Sequence, residues 1–309
     1  MGTLNVAVIG SGTMGPGIAQ VFAGAGNDVT LVDVDEKALA RGRETIARNL
    51  QFFVENEIAS QTAADETLSR VSFSPDLAAS VKAVDLAVEA VPERIELKRT
   101  IFEKMESSAP PDAVLASNTS SLRLTDIAQG TRYRSRVVGT HFLNPPQLVR
   151  IVEVVLGEET STETAEEVVE ILEACGKKPV IVKDVAGFVH NRLICALMRE
   201  ATYMAANDIA SVEAIDTIVK EAFGPRFPEV GIFGLEDFVG LDILRDVSNQ
   251  VFPTLDNSAA ANQWLEQKIT RGELGVKSGS GFYRWTPEEV DGTRKRLTKK
   301  FVEILRRAR

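Results

Sequence analysis

The chain has 309 residues, of which 44% are hydrophobic and 26% charged, and a net charge of −9 at pH 7. At roughly 150 residues per domain this predicts about two globular domains, and the mixed composition excludes a disordered or fibrous chain. The acidic balance argues against sequence-independent nucleic-acid binding, which rests on Lys and Arg neutralising phosphates.

In chain order, apolar runs predict strands near Asn5 to Gly10, Val29 to Asp33, Val71 to Phe73, Leu86 to Glu89, Val114 to Ser117 and Val137 to His141. Two more follow near Ile151 to Val155 and Val180 to Val182. Helical patterns alternate with them, the signature of a doubly wound parallel sheet, an α/β fold of Rossmann-like type. After the second strand, Leu39, Ile46, Leu50 and Phe53 keep a helical stripe from about Glu36 to Ile58, long enough to project past the sheet. From Gly187 onward strand patterns vanish, and helices are expected near 188–207, 212–222, 241–251 and 260–271. The expected division is therefore an α/β domain over 1–184 and an all-helical domain over 185–309.

The last stretch differs in charge. Residues 292–309 carry a net +7 and leave −16 on the remainder. Leu297, Phe301, Ile304, Leu305 and Ala308 recur at helical spacing, predicting a basic amphipathic helix over 287–309. Docking on protein suits its short apolar stripe better than lying on an anionic membrane. No apolar run approaches the roughly 20 residues of a membrane helix. Cys175 and Cys195 read as two reduced thiols, with neither a disulfide framework nor a Cys-rich zinc site, and a cytoplasmic protein is expected.

Two sites carry chemistry. Gly10-Ser11-Gly12-Thr13-Met14-Gly15 stands between an apolar strand and a helix pattern, where its glycines give a tight turn, close approach to a pyrophosphate and close helix packing. Asp33 closes the next strand at the distance suited to ribose hydroxyls. It would repel a 2′-phosphate, and Val34-Asp35-Glu36 offers no arginine, so NAD is favoured over NADP. The second site is His141, at the carboxyl end of the sixth strand, with Glu153 in the next strand after a proline turn. Imidazole, ordinarily of pKa near 6.5, suits removal of a hydroxyl proton while hydride leaves, and a carboxylate on its second nitrogen would fix the tautomer. His190, the other histidine, lies in an early helical turn without a matched carboxylate and reads as structural.

Further motifs complete a pattern: Glu89-Ala90-Val91-Pro92-Glu93 with Lys98, Ser117-Asn118-Thr119-Ser120-Ser121-Leu122, His141-Phe142-Leu143-Asn144-Pro145, Gly187-Phe188-Val189-His190-Asn191-Arg192 and Lys277-Ser278-Gly279-Ser280-Gly281-Phe282-Tyr283. With the glycine loop they resemble the 3-hydroxyacyl-CoA dehydrogenase family from residue 3 to about 285. The resemblance implies His141 as catalytic base and Glu153 as its partner. It places Ser117 and Asn191 near the reacting hydroxyl. Around NAD it places Gly10, Gly12, Thr13, Met14, Gly15, Asp33, Glu93, Lys98, Ser117, Asn144 and Lys277. It also implies a homodimer joined through the helical domain.

Two departures bear on substrate. CoA-using relatives have a lysine-rich projecting helix and following turn, whereas this chain reads Asn49-Leu50-Gln51-Phe52-Phe53-Val54-Glu55-Asn56-Glu57. Gly224-Pro225-Arg226-Phe227-Pro228 replaces the family's His-Pro-Met-Gly-Pro stretch. Arg226 resembles the arginine of relatives acting on free hydroxy acids, the lambda-crystallin and gulonate branch, and a guanidinium can hold a carboxylate through two hydrogen bonds. The family also contains a pyridine-carboxylate aldehyde dehydrogenase of vitamin B6 breakdown. The expected activity is NAD-dependent oxidation of a carbinol or hydrated aldehyde in a small free carboxylate. The alternatives are an (S)-3-hydroxyacyl-CoA dehydrogenase and, of another class, a non-catalytic NAD-binding structural protein.

Overall fold

The computed structural model describes residues 2–307. All eight expected strands form one sheet: β1 (Asn5–Ile9), β2 (Asp28–Val32), β3 (Val71–Ser74), β4 (Leu86–Glu89), β5 (Val114–Ser117), β6 (Val137–Phe142), β7 (Ile151–Leu156) and β8 (Lys178–Lys183). The spatial order is β3-β2-β1-β4-β5-β6-β7-β8. Every neighbouring pair is parallel except β6 with β7, where the chain returns through the proline turn instead of a helix. From β3 to β6 this is the doubly wound order, which reverses direction beside β1 and opens a crevice at the strands' carboxyl ends.

Seven helices accompany the sheet: α1 (Gly15–Gly24), α2 (Glu36–Glu55), α3 (Gln61–Ser69), α4 (Leu77–Ser80), α5 (Ile95–Ser108), α6 (Leu124–Ile127) and α7 (Thr162–Ala174). The inner strands β1, β4, β5 and β6 are buried almost throughout because both faces are covered, whereas at the edge β8 buries only Val182. Val6 and Val8 of β1 join Ile18, Phe22, Ile46, Leu50 and Val168 in one core, while the alternate residues Ala7 and Ile9 join Phe102, Met105 and Ile127 in the other. α2 ends three residues before the Ile58 that the pattern predicts, and Ile58 is buried in the turn that follows.

The remaining helices are α8 (His190–Ala206), α9 (Val212–Ile218), α10 (Phe227–Val239), α11 (Leu241–Val251), α12 (Gln263–Thr270) and α13 (Pro287–Arg307). α10 is absent from the expected helices, and it contains Pro228 and Gly231. Pro228 falls in the first turn, where no intrahelical bond is lost, and Gly231, at φ 66°, takes up a kink. Among the described residues, no helix is long and apolar enough to cross a membrane.

By packing, one unit runs to Arg192 and resumes at Arg296, and the second spans Leu193–Lys295. Asp184 belongs firmly to the first, since its carboxylate accepts the Leu124 and Thr125 amides, each at 2.8 Å, and so caps α6. The last part of the basic helix also belongs to the first unit. Val302 is its buried residue, whereas Leu297 and Ile304 of the expected stripe are exposed. Ala308 and Arg309 lie outside the described residues.

Within the second unit, taken as it stands, no hydrophobic side chain is buried among the described residues. Phe233 is 88% exposed, Phe238 84% and Phe252 68%.

Candidate active site

Three glycines of the loop after β1 do the work their spacing suggests. Gly10 has φ +112°, and a Cβ there would stand 2.6 Å from the Ala90 carbonyl oxygen. A Cβ on Gly15 would stand 1.8 Å from the Gly10 oxygen, so the helix packs closely on the turn. Gly12 meets nothing within 4 Å, which leaves its backbone open to a phosphate. α2, α3 and α7 are capped by the side chains of Asp35, Ser60 and Ser161, but α1 has no side-chain cap. Its first amides therefore remain for an anion, and the positive end of the helix dipole favours one. Asp33 is fixed beside this loop, with Oδ2 accepting the Ser11 amide at 2.8 Å and Oδ1 the Asp35 amide at 3.0 Å. The open glycine, uncapped helix and fixed carboxylate fit a dinucleotide with a free 2′-hydroxyl.

A cavity of about 1050 Å³ runs from this loop to the end of β6. Gly10, Gly12, Thr13, Met14 and Asp33 line it, and so do Glu93, His141, Asn144 and Asn191.

The antiparallel register sets His141 directly opposite Glu153, so both side chains emerge on one face of neighbouring strands. His141 Nδ1 lies 2.7 Å from Glu153 Oε2, with both side chains nearly sealed from solvent. Glu153 Oε1 accepts the amides of Val189 and His190, each at 2.9 Å. Burial pushes the Glu153 carboxyl up, but the His141 hydrogen bond and these two amides outweigh it and hold the group below its ordinary value. The amides are aimed by a sharp turn in which Gly187 (φ +76°) and Phe188 (φ +52°) are both left-handed. Phe188 is fully buried, and its ring centroid lies 5.5 Å from that of His141. His190 has a second part that the sequence does not signal, because its ring also lines the cavity, 6.5 Å from His141.

Behind the cavity wall lies a buried ionic network. Lys98 Nζ sits 2.8 and 3.0 Å from the two oxygens of Glu89, and Ser117 donates to Glu89 Oε2 at 2.6 Å. Glu89, Lys98 and Ser117 are at most 1% exposed. Ser117, expected at the reacting hydroxyl and the cofactor, donates its proton to Glu89, and Lys98, expected at the cofactor, bridges Glu89 and Glu93. Glu89 stands in the expected motif over 89–93 without a role of its own there, and its signal is a carboxylate closing the strand Leu86–Glu89.

Glu93 does reach the cavity. Its Oε1 accepts the Thr119 hydroxyl at 2.7 Å and the Ser120 and Ser121 amides at 3.0 and 2.9 Å, while Lys98 lies 3.2 Å from Oε2. Burial raises this carboxyl, but the Thr119 hydroxyl, Lys98 and the two amides prevail and hold it at about 2. Asn191 donates to the Ser120 carbonyl at 2.7 Å, tying the start of α8 to the same loop. Arg226 and Lys277 are exposed residues of the second unit, and Arg226 donates to the Ala222 carbonyl one turn back.

The profile described as 3-hydroxyacyl-CoA dehydrogenase, NAD binding domain, matches residues 5–185, and that of the family's C-terminal domain matches 187–285. The rat mitochondrial hydroxyacyl-coenzyme A dehydrogenase is 38% identical over 91% of each chain. The 5-formyl-3-hydroxy-2-methylpyridine 4-carboxylate 5-dehydrogenase of Mesorhizobium japonicum is 33% identical over 98% of this chain and 97% of its own. A solved structure of an enzyme of that name, described as an NAD+-dependent dismutase, superposes with a TM-score of 0.91 at 32% identity over 99% of each chain. That of the (S)-3-hydroxybutyryl-CoA dehydrogenase of Ralstonia eutropha gives 0.78 at 32% identity, over 92% of this chain and all of its own. The chain is an NAD-dependent oxidoreductase of the 3-hydroxyacyl-CoA dehydrogenase family.

Proposed function

We propose that this enzyme oxidises a hydrated aldehyde or carbinol in a small free carboxylate, with a pyridine aldehyde acid as the leading candidate. The observation carrying this reading is the likeness to the pyridine-carboxylate dehydrogenase over nearly the whole length of both chains. The arm supports it, because Glu55 and Glu57 stand where a CoA phosphate would require cations. A hydroxyacyl-CoA substrate is the second reading, favoured by the higher identity to the mitochondrial enzyme.

With His141 Nδ1 engaged by Glu153, Nε2 is the nitrogen left for a substrate hydroxyl. A gem-diol or alcohol gives its hydroxyl proton to Nε2 as the carbonyl forms, and Glu153 stabilises the resulting imidazolium. Bound NAD supplies the acceptor for the carbon's hydride. The glycine loop, Asp33, Glu93 and Asn144 hold the cofactor, with Lys277 as the resemblance implies. Asn191 orients the reacting oxygen, and Arg226 is the residue that the resemblance to free-acid relatives assigns to the substrate carboxylate. Ser117 and Lys98 act from behind, keeping the Glu89 and Glu93 loops in place.

The exposed Phe233, Phe238 and Phe252 support a homodimer through the helical unit, since a unit of this size needs buried apolar area to be stable. The two thiols keep the cytoplasm as the expected compartment.

The test is NADH formation from three probes: 5-formyl-3-hydroxy-2-methylpyridine 4-carboxylate, 3-hydroxybutyrate and 3-hydroxybutyryl-CoA. Turnover of the pyridine acid with little from the CoA ester is expected. Turnover of the CoA ester alone would overturn the reading.

A further inference from the structure

The family's C-terminal profile ends at residue 285, before α13 begins. The last part of α13 nevertheless packs with the NAD-binding unit. Three neighbouring residues make that contact. Val302 is buried, and Phe301 is half-buried and lines the same cavity as Met14, His141, Asn144 and Val149. Arg306 reaches the turn after α2, where it donates to the Asn56 carbonyl and lies 3.6 Å from Glu57. Leu297 and Ile304 face solvent, so the apolar groups that this part of the helix delivers inward are Phe301, Val302 and Leu305, of which Phe301 lines the cavity.

The glycine loop and Asp33 lie wholly inside the residues that match the NAD-binding profile. An aromatic side chain brought into the cavity from outside both profiles is therefore best assigned to the other ligand. We infer that Phe301 is a specificity-determining residue, an apolar wall on which the flat ring of an aromatic carboxylate substrate packs, with Arg306 as the latch that holds the wall in place. Ring against ring contributes beyond simple area burial, and an aliphatic hydroxy acid gains less from such a wall. The latch also uses the Asn56–Glu57 turn, part of the stretch where CoA-using relatives carry lysines. One segment thus favours a flat small acid and occupies groups on the arm. This inference rests on the small-carboxylate reading above.

The full-length enzyme is compared with Phe301→Ala, Phe301→Tyr and Arg306→Ala. Steady-state kinetics use 5-formyl-3-hydroxy-2-methylpyridine 4-carboxylate and, separately, 3-hydroxybutyryl-CoA, and NADH binding is followed by fluorescence. Phe301→Ala should raise KM for the pyridine acid about 5- to 10-fold, with kcat and NADH affinity within about twofold of the parent. Phe301→Tyr should restore the parental KM, and Arg306→Ala should raise KM to a smaller extent. An unchanged KM in Phe301→Ala overturns the inference, as does a loss confined to NADH affinity, which would make Phe301 a cofactor contact. If the parent oxidises only the CoA ester, the underlying reading fails, and the wall for an aromatic acid fails with it.

Discussion

Replacing Glu153 with Gln tests the His141–Glu153 pair while leaving its surroundings occupied. In the parent, Oε2 faces His141 Nδ1 at 2.7 Å and Oε1 takes the Val189 and His190 amides. Glutamine can keep its carbonyl on those amides, which turns its NH2 toward Nδ1. That group only donates, so Nδ1 must accept and the ring proton moves to Nε2. The lone pair needed for the substrate proton is then lost. The charge beside the forming imidazolium is lost too, a term of about 4 kcal/mol at 4 Å and an effective dielectric constant of 20, or roughly 10³-fold in rate. Together these predict a fall in kcat of about 10³- to 10⁴-fold. The fold should weaken by only about 1 kcal/mol because the two amides stay satisfied. NADH formation under saturating substrate gives kcat, fluorescence titration shows whether NADH still binds, and circular dichroism checks the fold. Turnover within about threefold of the parent, with NADH bound normally, would refute the assignment of Glu153 as the group that sets the tautomer.

Asp33→Ala removes the carboxylate expected to receive ribose hydroxyls, and KM for NAD should rise about 10- to 100-fold while the preference against NADP narrows, both read from cofactor kinetics. Lys98→Met leaves the fully buried Glu89 carboxylate without its cation and should cost about 3–5 kcal/mol in urea unfolding; adding Glu89→Gln should recover part of it. Glu93 is held at about 2 against an ordinary 4.5, so its contribution is complete above pH 4.5 and is lost as pH falls toward 2. Discounted for partial exposure, that is about 2 kcal/mol, and Glu93→Gln should flatten the acid limb of stability measured by urea titration. If the chain pairs through its helical unit as proposed, the parent should sediment as a dimer and Phe233→Asp as a monomer; a monomeric parent would refute the pairing.

The sheet was legible because its inner strands are short apolar runs between turn signals, and a parallel sheet covered on both faces writes itself that way. The glycine loop, Asp33 and the His141–Glu153 pair were legible for the same reason, since each closes or faces a strand whose position the pattern gives. Glu89 was harder to see. A carboxylate at a strand end reads as solvent-facing until the chain 9 residues later returns Lys98 to it. The left-handed Phe188 and the amide pair it aims at Glu153 depend on backbone angles that no residue pattern specifies for a phenylalanine. α10 was hidden by a proline and a glycine that break most helices but sit here at a first turn and a kink. The helical stripe of α13 gave the right element and part of its inward face, with Phe301 and Leu305 half-buried, but missed Val302 and counted the exposed Leu297 and Ile304. Phe301 was named in that stripe, yet its place on the cavity wall required a tertiary contact.

The antiparallel return from β6 to β7 has a consequence for how the enzyme tolerates change. His141 and Glu153 are held as opposite positions on paired strands, so the length of the connecting turn does not set their separation. Residues could be added or exchanged between Pro146 and Arg150, reshaping the mouth of the cavity, with the proton-transfer pair intact. Loss of one residue inside β7 just after Glu153, with the pairing of Val155 and Leu156 kept, would be different. It would shift the register by one and turn the carboxylate to the opposite face of the sheet. Variation is thus cheap in the turn beyond Asn144 and prohibitive inside the strand, an arrangement that lets new substrates be tried on a reaction centre that stays the same.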